Sequence, residues 1–472
     1  MSSKDESPKL QFKLDEKLKY LKDIRHEIKK KRIFFDENKE RFGLEEFSQL
    51  VKVKNTSEVK GYPFKAFNKN STKTHGIRYG LKIVPVETKY DKKEHPSNLE
   101  NVILKELTEN IVNKMISPHI AYYLGVQKVS NKSRALKMLN LKRLEVEEKI
   151  RTHSNMLISE FVEGNSLDNW VFDIYEKDDE ISNKQWKVIV FQMLYTMSVI
   201  QHHYRMMHND FHYGNILIDD TIKPGGYFVY EIKNKKYYIP NLGVICKAWD
   251  FEFAMVYSNK IKDSYPNKFI TGSFEYNRKE HKTIVKEDDL ESKDLEDLNV
   301  PFNYNEVYDP HYFLTSLLDL YISQELFDWI ISLYPMELIP EEESSSNDSS
   351  YSSDYSDSSD SSDSSRNYKS KSNSEKSKSK SLKNSNNSDN SDSYSDSESG
   401  SESGSESGSE SGSENIKSEK KYVHDGRLIN GAEDEFKLPN PITLINDSFF
   451  ECFTQKPDDF DEKTALYFKA GF

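Results

Sequence analysis

The feature that most constrains this chain is the run His208-Asn209-Asp210-Phe211-His212-Tyr213-Gly214-Asn215-Ile216-Leu217-Ile218. It follows a long helical pattern over 182–206 and leads into an apolar stretch that reads as a strand. Asp210 and Asn215 stand five residues apart in a tight loop that contains a glycine. A carboxylate and an amide oxygen are therefore held a short loop apart. An HxD triplet alone is common by chance, so its weight comes from the order of the elements around it.

Upstream, Gly80-Leu81-Lys82-Ile83-Val84-Pro85-Val86 is a short apolar run around one lysine and reads as a strand in a strand-rich region, 46–90. Leu99, Ile103, Leu107, Ile111 and Met115 then repeat at four, which predicts a helix with one apolar face that Pro118 ends. That helix carries Glu100, Glu106 and Glu109. Residues 155–162 read as another strand, and 165–178 as a further helix. Downstream of the loop, Gly225-Gly226 and Asn234-Lys235 punctuate YFVYEI and KYYI, predicting a hairpin. Ala248-Trp249-Asp250-Phe251-Glu252-Phe253 sets an aspartate at the end of an apolar run, and 306–335 is helical and apolar again. Phosphoryl transfer needs a carboxylate to accept or orient the proton of the nucleophile, and an oxygen ligand nearby to hold magnesium. Asp210 and Asn215 suit that division of work, Asp250 would complete the metal site, and a strand lysine held by a helix glutamate would grip phosphates.

The ends of the chain differ from this middle. Over 1–45 the residues are charged, with Leu14, Leu18, Leu21, Ile24 and Ile28 at helical spacing, so an amphipathic helix is expected. Lys29-Lys30-Lys31-Arg32 reads as its solvated face rather than a nucleic-acid patch. Between 341 and 420 serine fills 35 of 80 positions, with 18 acidic against 9 basic residues. Such a segment cannot bury enough apolar area to offset its ordering entropy, which predicts disorder. Most of the net charge of −13 sits there, so the rest is nearly balanced and offers no general nucleic-acid surface. Its SDSSDSSD and SESGSESG runs suit acid-directed phosphorylation and basic protein partners. Hydrophobicity returns in LPNPITLINDSFFECF, so 421–472 is expected to dock back on the folded body. Two cysteines exclude a disulfide framework, no apolar run reaches the roughly 18 residues of a membrane span, and the N-terminus lacks the apolar stretch of a signal peptide. A soluble intracellular protein is expected. His202, His203, His208 and His212 form no evident zinc ligand set.

These motifs resemble those of protein kinases. Gly80-Leu81-Lys82-Ile83 resembles the VAIK strand, Glu160-Phe161-Val162-Glu163-Gly164 the hinge, and HNDFHYGN the HRDLKxxN catalytic loop. Asp250-Phe251-Glu252 occupies the DFG place, and Tyr308-Asp309 resembles the aspartate that braces the catalytic loop. NLENVILKELTENIVNKMISPHI, IPNLGVICKAWDFEFA and LPNPITLINDSFF are similar to atypical serine/threonine kinases of large DNA viruses, of the mimivirus and, more distantly, the poxvirus type. The resemblance covers about 50–340 and 421–472. It implies an α+β bilobal fold: a strand-rich N-lobe at 46–160, a mainly helical C-lobe at 161–340, the insertion at 341–420, and 421–472 packed on the C-lobe. It implies ATP with Mg2+ or Mn2+ and a protein substrate, in host cytoplasm or a virion. Asp210 would be the catalytic base, with His212 beside it. Lys82, Glu100, Glu160, Asn215 and Asp250 would bind the nucleotide, and Asn215 and Asp250 the metal. His208 and Asp309 would fix the loop. Glu106 and Glu109 remain alternatives to Glu100 as the partner of Lys82.

Four departures stand out. No G-x-G-x-x-G precedes Lys82; only Gly61, Gly76 and Gly80 lie in 50–80. His212 replaces the catalytic-loop lysine, as in aminoglycoside and choline kinases. DFG is DFE, which removes a permissive backbone position. Asn215 and Asp250 are separated by 34 residues with a hairpin between them, and no APE motif follows. A nucleotide-binding pseudokinase scaffold and a small-molecule kinase therefore stand as alternatives to a protein kinase.

Overall fold

The computed structural model describes residues 11–31, 35–36, 41–42, 47–52, 62–68, 79–86, 96–130, 153–177, 179–261, 274–277, 282–285, 303–340, 422–424, 426–428 and 432–472. These belong to a unit of Met1–Glu341 with Lys420–Phe472. The expected disorder of the serine-rich segment lies outside the described residues, and so does most of the stretch between Lys52 and Tyr79 that was read for glycines.

Helix α1 (Leu14–Lys31) forms where the leucine spacing predicts it, with Leu14, Leu18, Leu21 and Ile28 buried. Its charged face is not simply solvated, because Lys17 and Arg25 are buried as well. Before the helix, Phe12 exchanges backbone hydrogen bonds with Thr221 and Lys223, both at 2.8 Å. Lys29 pairs with Glu109 at 3.1 Å, and the side chains of Lys30, Lys31 and Arg32 fall outside the described residues.

Strands β1 (Phe47–Lys52), β2 (Tyr62–Asn68), β3 (Tyr79–Val86), β4 (Tyr123–Ser130) and β5 (His153–Glu160) make one antiparallel sheet in the order β1-β2-β3-β5-β4. Side chains alternate along β3, so Lys82 points away from the face that Leu81 and Ile83 present. Gly80 lies where β3 passes close to β5: a Cβ there would come within 2.9 Å of Ser159 Oγ and 3.1 Å of the Glu160 carbonyl. Helix α2 (Pro96–Leu107) buries Leu99, Ile103 and Leu107 against this sheet region. The expected continuation to Ile116 is not α-helical. A π turn, Thr108–Val112, follows, with Asn113 N–H donating to Thr108 O at 2.9 Å, and Met115 turns the chain left-handed at φ 56 before Pro118. The extra residue of a π turn lets Thr108 Oγ1 accept from Tyr123 N at 2.9 Å, which pins the start of β4.

Beyond β5 the described residues hold both helices and strands. Helix α3 (Leu167–Tyr175) precedes α4 (Asn183–Tyr204), which opens on a Ser182–Gln185 capping box and ends on Arg205 at φ 46. Nearly all of α4 is buried, as a helix apolar on every side requires. Strands β6 (Ile216–Asp219) and β9 (Ile245–Ala248) pair antiparallel, with Ile216 opposite Ala248. Between them the expected hairpin forms from β7 (Tyr227–Ile232) and β8 (Lys235–Pro240). Helices α5 (Tyr308–Ser316) and α6 (Gln324–Leu333) follow. The C-terminal segment contacts this part of the chain. Phe449 stacks on Trp329 at 4.2 Å, Phe450 meets Phe191 at 5.6 Å, and β10 (Leu466–Lys469) pairs parallel with β7. No helix among the described residues is long and apolar enough to cross a membrane.

A buried ion network joins these parts. Lys17 Nζ lies 2.5 Å from Asp219 Oδ2 and 3.9 Å from Glu160 Oε2, and Lys247 Nζ lies 2.8 Å from Glu160 Oε1. All four residues are buried. Burial works against the Lys17 ammonium, but Asp219 and Glu160 outweigh it and hold its pKa above the usual lysine value. Removing one partner of a buried pair strands the other's charge. Lys17→Met should therefore lower stability by about 3–5 kcal/mol in urea unfolding. A loss below about 1 kcal/mol would mean that the carboxylates find solvent or another partner.

Candidate active site

Four charged side chains converge where β3, α2 and the end of β9 meet. Lys82 Nζ contacts Glu100 Oε2 at 3.0 Å, Asp250 Oδ1 at 2.7 Å and Glu252 Oε2 at 3.2 Å. Lys82, Glu100 and Glu252 are buried, while the Asp250 side chain is one-third exposed. Of the three glutamates left open by the sequence, Glu100 is the one that meets Lys82. Glu109 pairs instead with Arg25 and Lys29 on α1, and Glu106 accepts from Asn110 and Tyr204. Burial opposes the Lys82 ammonium, but Asp250, Glu100 and Glu252 outweigh it and hold its pKa well above the usual lysine range. Glu100 is pushed upward by burial and by its two acidic neighbours, against the pull of Lys82. One lysine thus faces three carboxylates whose oxygens lie within 4.8 Å of one another. The donors are hard oxygens carrying a net negative excess, which suits Mg2+ or Mn2+.

Glu252 was not recognised as a site residue from the sequence. In the sequence the glutamate of DFE reads only as the loss of a glycine. Asp250 carries the left-handed backbone, φ 64 and ψ 65, and opens a short 3-10 turn, Phe251–Phe253, that brings Glu252 to Lys82.

The loop after α4 is held from α5. Asp309 Oδ2 accepts from His208 N at 2.7 Å and Asp309 Oδ1 from Asn209 N at 2.9 Å. Burial pushes the Asp309 carboxyl up to about 6, although both amides favour its charged form. The His208 ring is buried, reaches the Trp249 carbonyl at 2.9 Å, and packs on Phe251 at 4.7 Å. His208 thereby links the loop to the Asp250 turn, and Asn209 Nδ2 does so again through Phe253 O at 2.8 Å. Asn209 adopts φ 64, the left-handed conformation that asparagine tolerates better than most residues.

Asp210 is brought against Asn215 as the spacing predicts. Asn215 Nδ2 donates to Asp210 Oδ2 at 2.7 Å and to its carbonyl at 2.9 Å. His212 Nδ1 accepts from Gly214 N at 3.2 Å, and His212 Nε2 lies 3.8 Å from Asp210 Oδ2. Burial lowers the pKa of His212 further than the nearby carboxylates raise it. On the other side of Asp210 stands Arg427, which no sequence pattern places there. Its guanidinium donates to Asp210 Oδ1 and to the Asn209 carbonyl and lies 4.3 Å from the centre of the Tyr312 ring. Burial would raise the Asp210 pKa, but Arg427 above all, with His212 and His208, holds it below the usual carboxylate value.

Glu160, expected from the resemblance to bind nucleotide at the hinge, has its carboxylate engaged elsewhere. It turns inward to Lys247 at 2.8 Å and to Tyr122 N at 2.8 Å. A lysine available on β9 draws the side chain into the buried network and away from the converging groups around Lys82.

The chain is 23% identical over 337 residues to a protein of Acanthamoeba polyphaga mimivirus named "Putative serine/threonine-protein kinase". The match takes in 64% of this chain and 63% of the relative, so the chain spans under two thirds of that protein's length. The solved kinase domain of BubR1 is similar at a TM-score of 0.28 and 15% identity, covering 44% of this chain and 46% of that one. No family model matches. The five-stranded sheet, the Lys82–Glu100 pair and the loop braced by Asp309 beneath a helical body make the fold α+β and protein-kinase-like.

The two amides gripped by Asp309 belong to buried residues, His208 and Asn209, so removing the acceptor leaves them unpaired. Asp309→Ala should cost about 2–4 kcal/mol of unfolding free energy, and Asp309→Asn, which keeps one acceptor, roughly half of that. Equal stability of Asp309→Ala and wild type in chemical denaturation would show that solvent reaches the loop amides.

Proposed function

We propose, from the premise that this chain is protein-kinase-like, that it transfers the γ-phosphoryl group of ATP to serine or threonine hydroxyls of a protein. The observation that carries the reading is the contact of Lys82 with both Glu100 and Asp250, beside a loop that holds Asp210 against Asn215. In this reading Lys82, oriented by Glu100, holds the α and β phosphates. Asp250 and Asn215 supply oxygen ligands for Mg2+ or Mn2+, which when bound neutralises charge on the phosphates. Asp210 orients the acceptor hydroxyl and takes its proton. The new O–P bond forms on the acceptor as the bond to ADP breaks, and the proton leaves Asp210 for solvent. His212 steadies Asp210 and Asn215 at the turn of the loop.

Glu252 favours a second reading, a nucleotide-binding scaffold without turnover. Its carboxylate competes for the lysine that would hold the phosphates, 3.2 Å away. Such a scaffold would be stabilised by ATP, by about 2.7 kcal/mol at a hundredfold excess over the dissociation constant, yet would transfer nothing. A small-molecule acceptor remains a third reading on the strength of His212 alone.

Incorporation of labelled γ-phosphate with magnesium or manganese separates these. Wild type should label itself or casein, and Asp210→Asn should fall by about 10²–10⁴-fold while keeping its thermal transition. Equal labelling by both proteins would remove Asp210 from the chemistry. ATP-dependent stabilisation without labelling would support the scaffold, and labelling of amino-alcohols alone the small-molecule reading.

A further inference from the structure

We propose that Arg427 is a positioning residue for phosphoryl transfer, fixing the Asp210 carboxylate and the Asn209 carbonyl from a segment more than 200 residues away in sequence. The inference rests on the reading that Asp210 receives the hydroxyl proton.

Arg427 sits in a two-residue strand, Arg427–Leu428, paired with Val423–His424, and Val423 and Leu428 are buried. Its side chain is 6% exposed. One guanidinium nitrogen donates to Asn209 O and the other to Asp210 Oδ1, while the plane lies over the Tyr312 ring. The loop is thus gripped on both sides of its backbone. Asp309 takes the amides of His208 and Asn209, and Arg427 takes the carbonyl of Asn209 and the side chain of Asp210. Asn209 is buried and left-handed at φ 64, and a buried carbonyl needs a donor, which Arg427 supplies.

The catalytic loop itself offers no cation. His212 stands where kinases carry a lysine, and its Nδ1 accepts a hydrogen bond from Gly214 N, as a neutral imidazole does. Arg427 is a permanent charge in direct contact with Asp210. Asp210 Oδ2 is meanwhile held by Asn215, so the carboxylate is fixed at both oxygens. Each carboxylate oxygen has two lone pairs, so it can accept from Arg427 or Asn215 and still receive a hydroxyl. The forked donor geometry matters as well as the charge, because one planar group spans two acceptors in a way that an ammonium cannot.

The test uses the full chain as wild type, Arg427→Met, Arg427→Lys, Arg427→Ala and Asp210→Asn, with labelled ATP and casein. Arg427→Met should lower kcat by about 10²-fold, the scale of a misplaced catalytic group, with KM for ATP within about threefold. Arg427→Lys should recover part of kcat, and guanidinium ion should restore activity to Arg427→Ala but not to Asp210→Asn. Should Arg427→Met fail to fold, Arg427→Lys and the guanidinium rescue decide. Arg427→Met within threefold of wild type, Arg427→Lys at full kcat, or no response to guanidinium would overturn the proposal. So would a variant faster than wild type, since Arg427 would then be a plug. An active wild type with an active Arg427→Met and an inactive Asp210→Asn sinks the role of Arg427 alone. A wild type that binds ATP and transfers nothing sinks the underlying reading and this inference with it.

Discussion

The structure depends on a buried ion network centred on Glu160. One carboxylate oxygen takes Lys247 and the Tyr122 amide, and the other lies toward Lys17, which also holds Asp219. Those residues come from the end of β5, from β9, from α1 and from β6. Lys247 lies three residues before Asp250, and Asp219 four residues after Asn215. The network therefore fixes the strand register that delivers both oxygen donors proposed for the metal. Buried ions are costly to assemble and more costly to break, so such a network specifies one arrangement more than it adds stability. Helix α1 is part of that arrangement, since it supplies Lys17.

Around the two halves of the site the charge is unbalanced in opposite ways. At Lys82 one cation faces Glu100, Asp250 and Glu252 in a largely buried pocket, an excess of negative charge that a divalent cation would relieve. At Asp210 the single carboxylate is met by Arg427, Asn215 and the imidazole of His212, so its charge is already compensated. A group meant to accept a proton gains from staying ionised and oriented, whereas a group meant to bind a metal gains from being short of cations. His208 links the two halves by touching both Trp249 O and Phe251.

Much of this was legible in the sequence because it rests on local pattern. The period of four in α2, the alternation around Lys82, the turn residues between β7 and β8, and the Asp210–Asn215 spacing each follow from a few neighbouring residues, and the chain folds accordingly. What escaped was decided by partners distant in sequence. Glu160 turned inward because Lys247 lies opposite, and Glu252 became a site residue because the turn at Asp250 aims it at Lys82. The π turn after α2 follows from a hydrogen bond to β4 that periodicity does not report. Lys17 and Arg25 look like solvated charges on a helical wheel, and only the carboxylates packed against α1 bury them. Arg427 carried no signal at all, since it lies beyond the serine-rich segment with no motif around it.

The setting of Arg427 bears on whether it is a fixed part of the loop or a removable cover. A cover needs a segment that can leave at little cost. Here the chain on one side of the insertion closes on His311, which bonds the Leu338 carbonyl at 2.8 Å, and the chain beyond Arg427 is built into the core. Phe450 and Phe453 pack against Phe191 of α4, Trp329 Nε1 donates to Asp447 at 3.0 Å, and β10 adds a strand to β7. Leu428, next to Arg427, is itself buried. Lifting the guanidinium away would expose Leu428 and Val423 and strip the Asn209 carbonyl of its donor in a buried place, a combined penalty of several kcal/mol by the usual cost of apolar exposure and an unpaired polar group. A guanidinium held on those terms belongs to the loop's permanent construction, as the role proposed for Arg427 in fixing the Asp210 carboxylate requires.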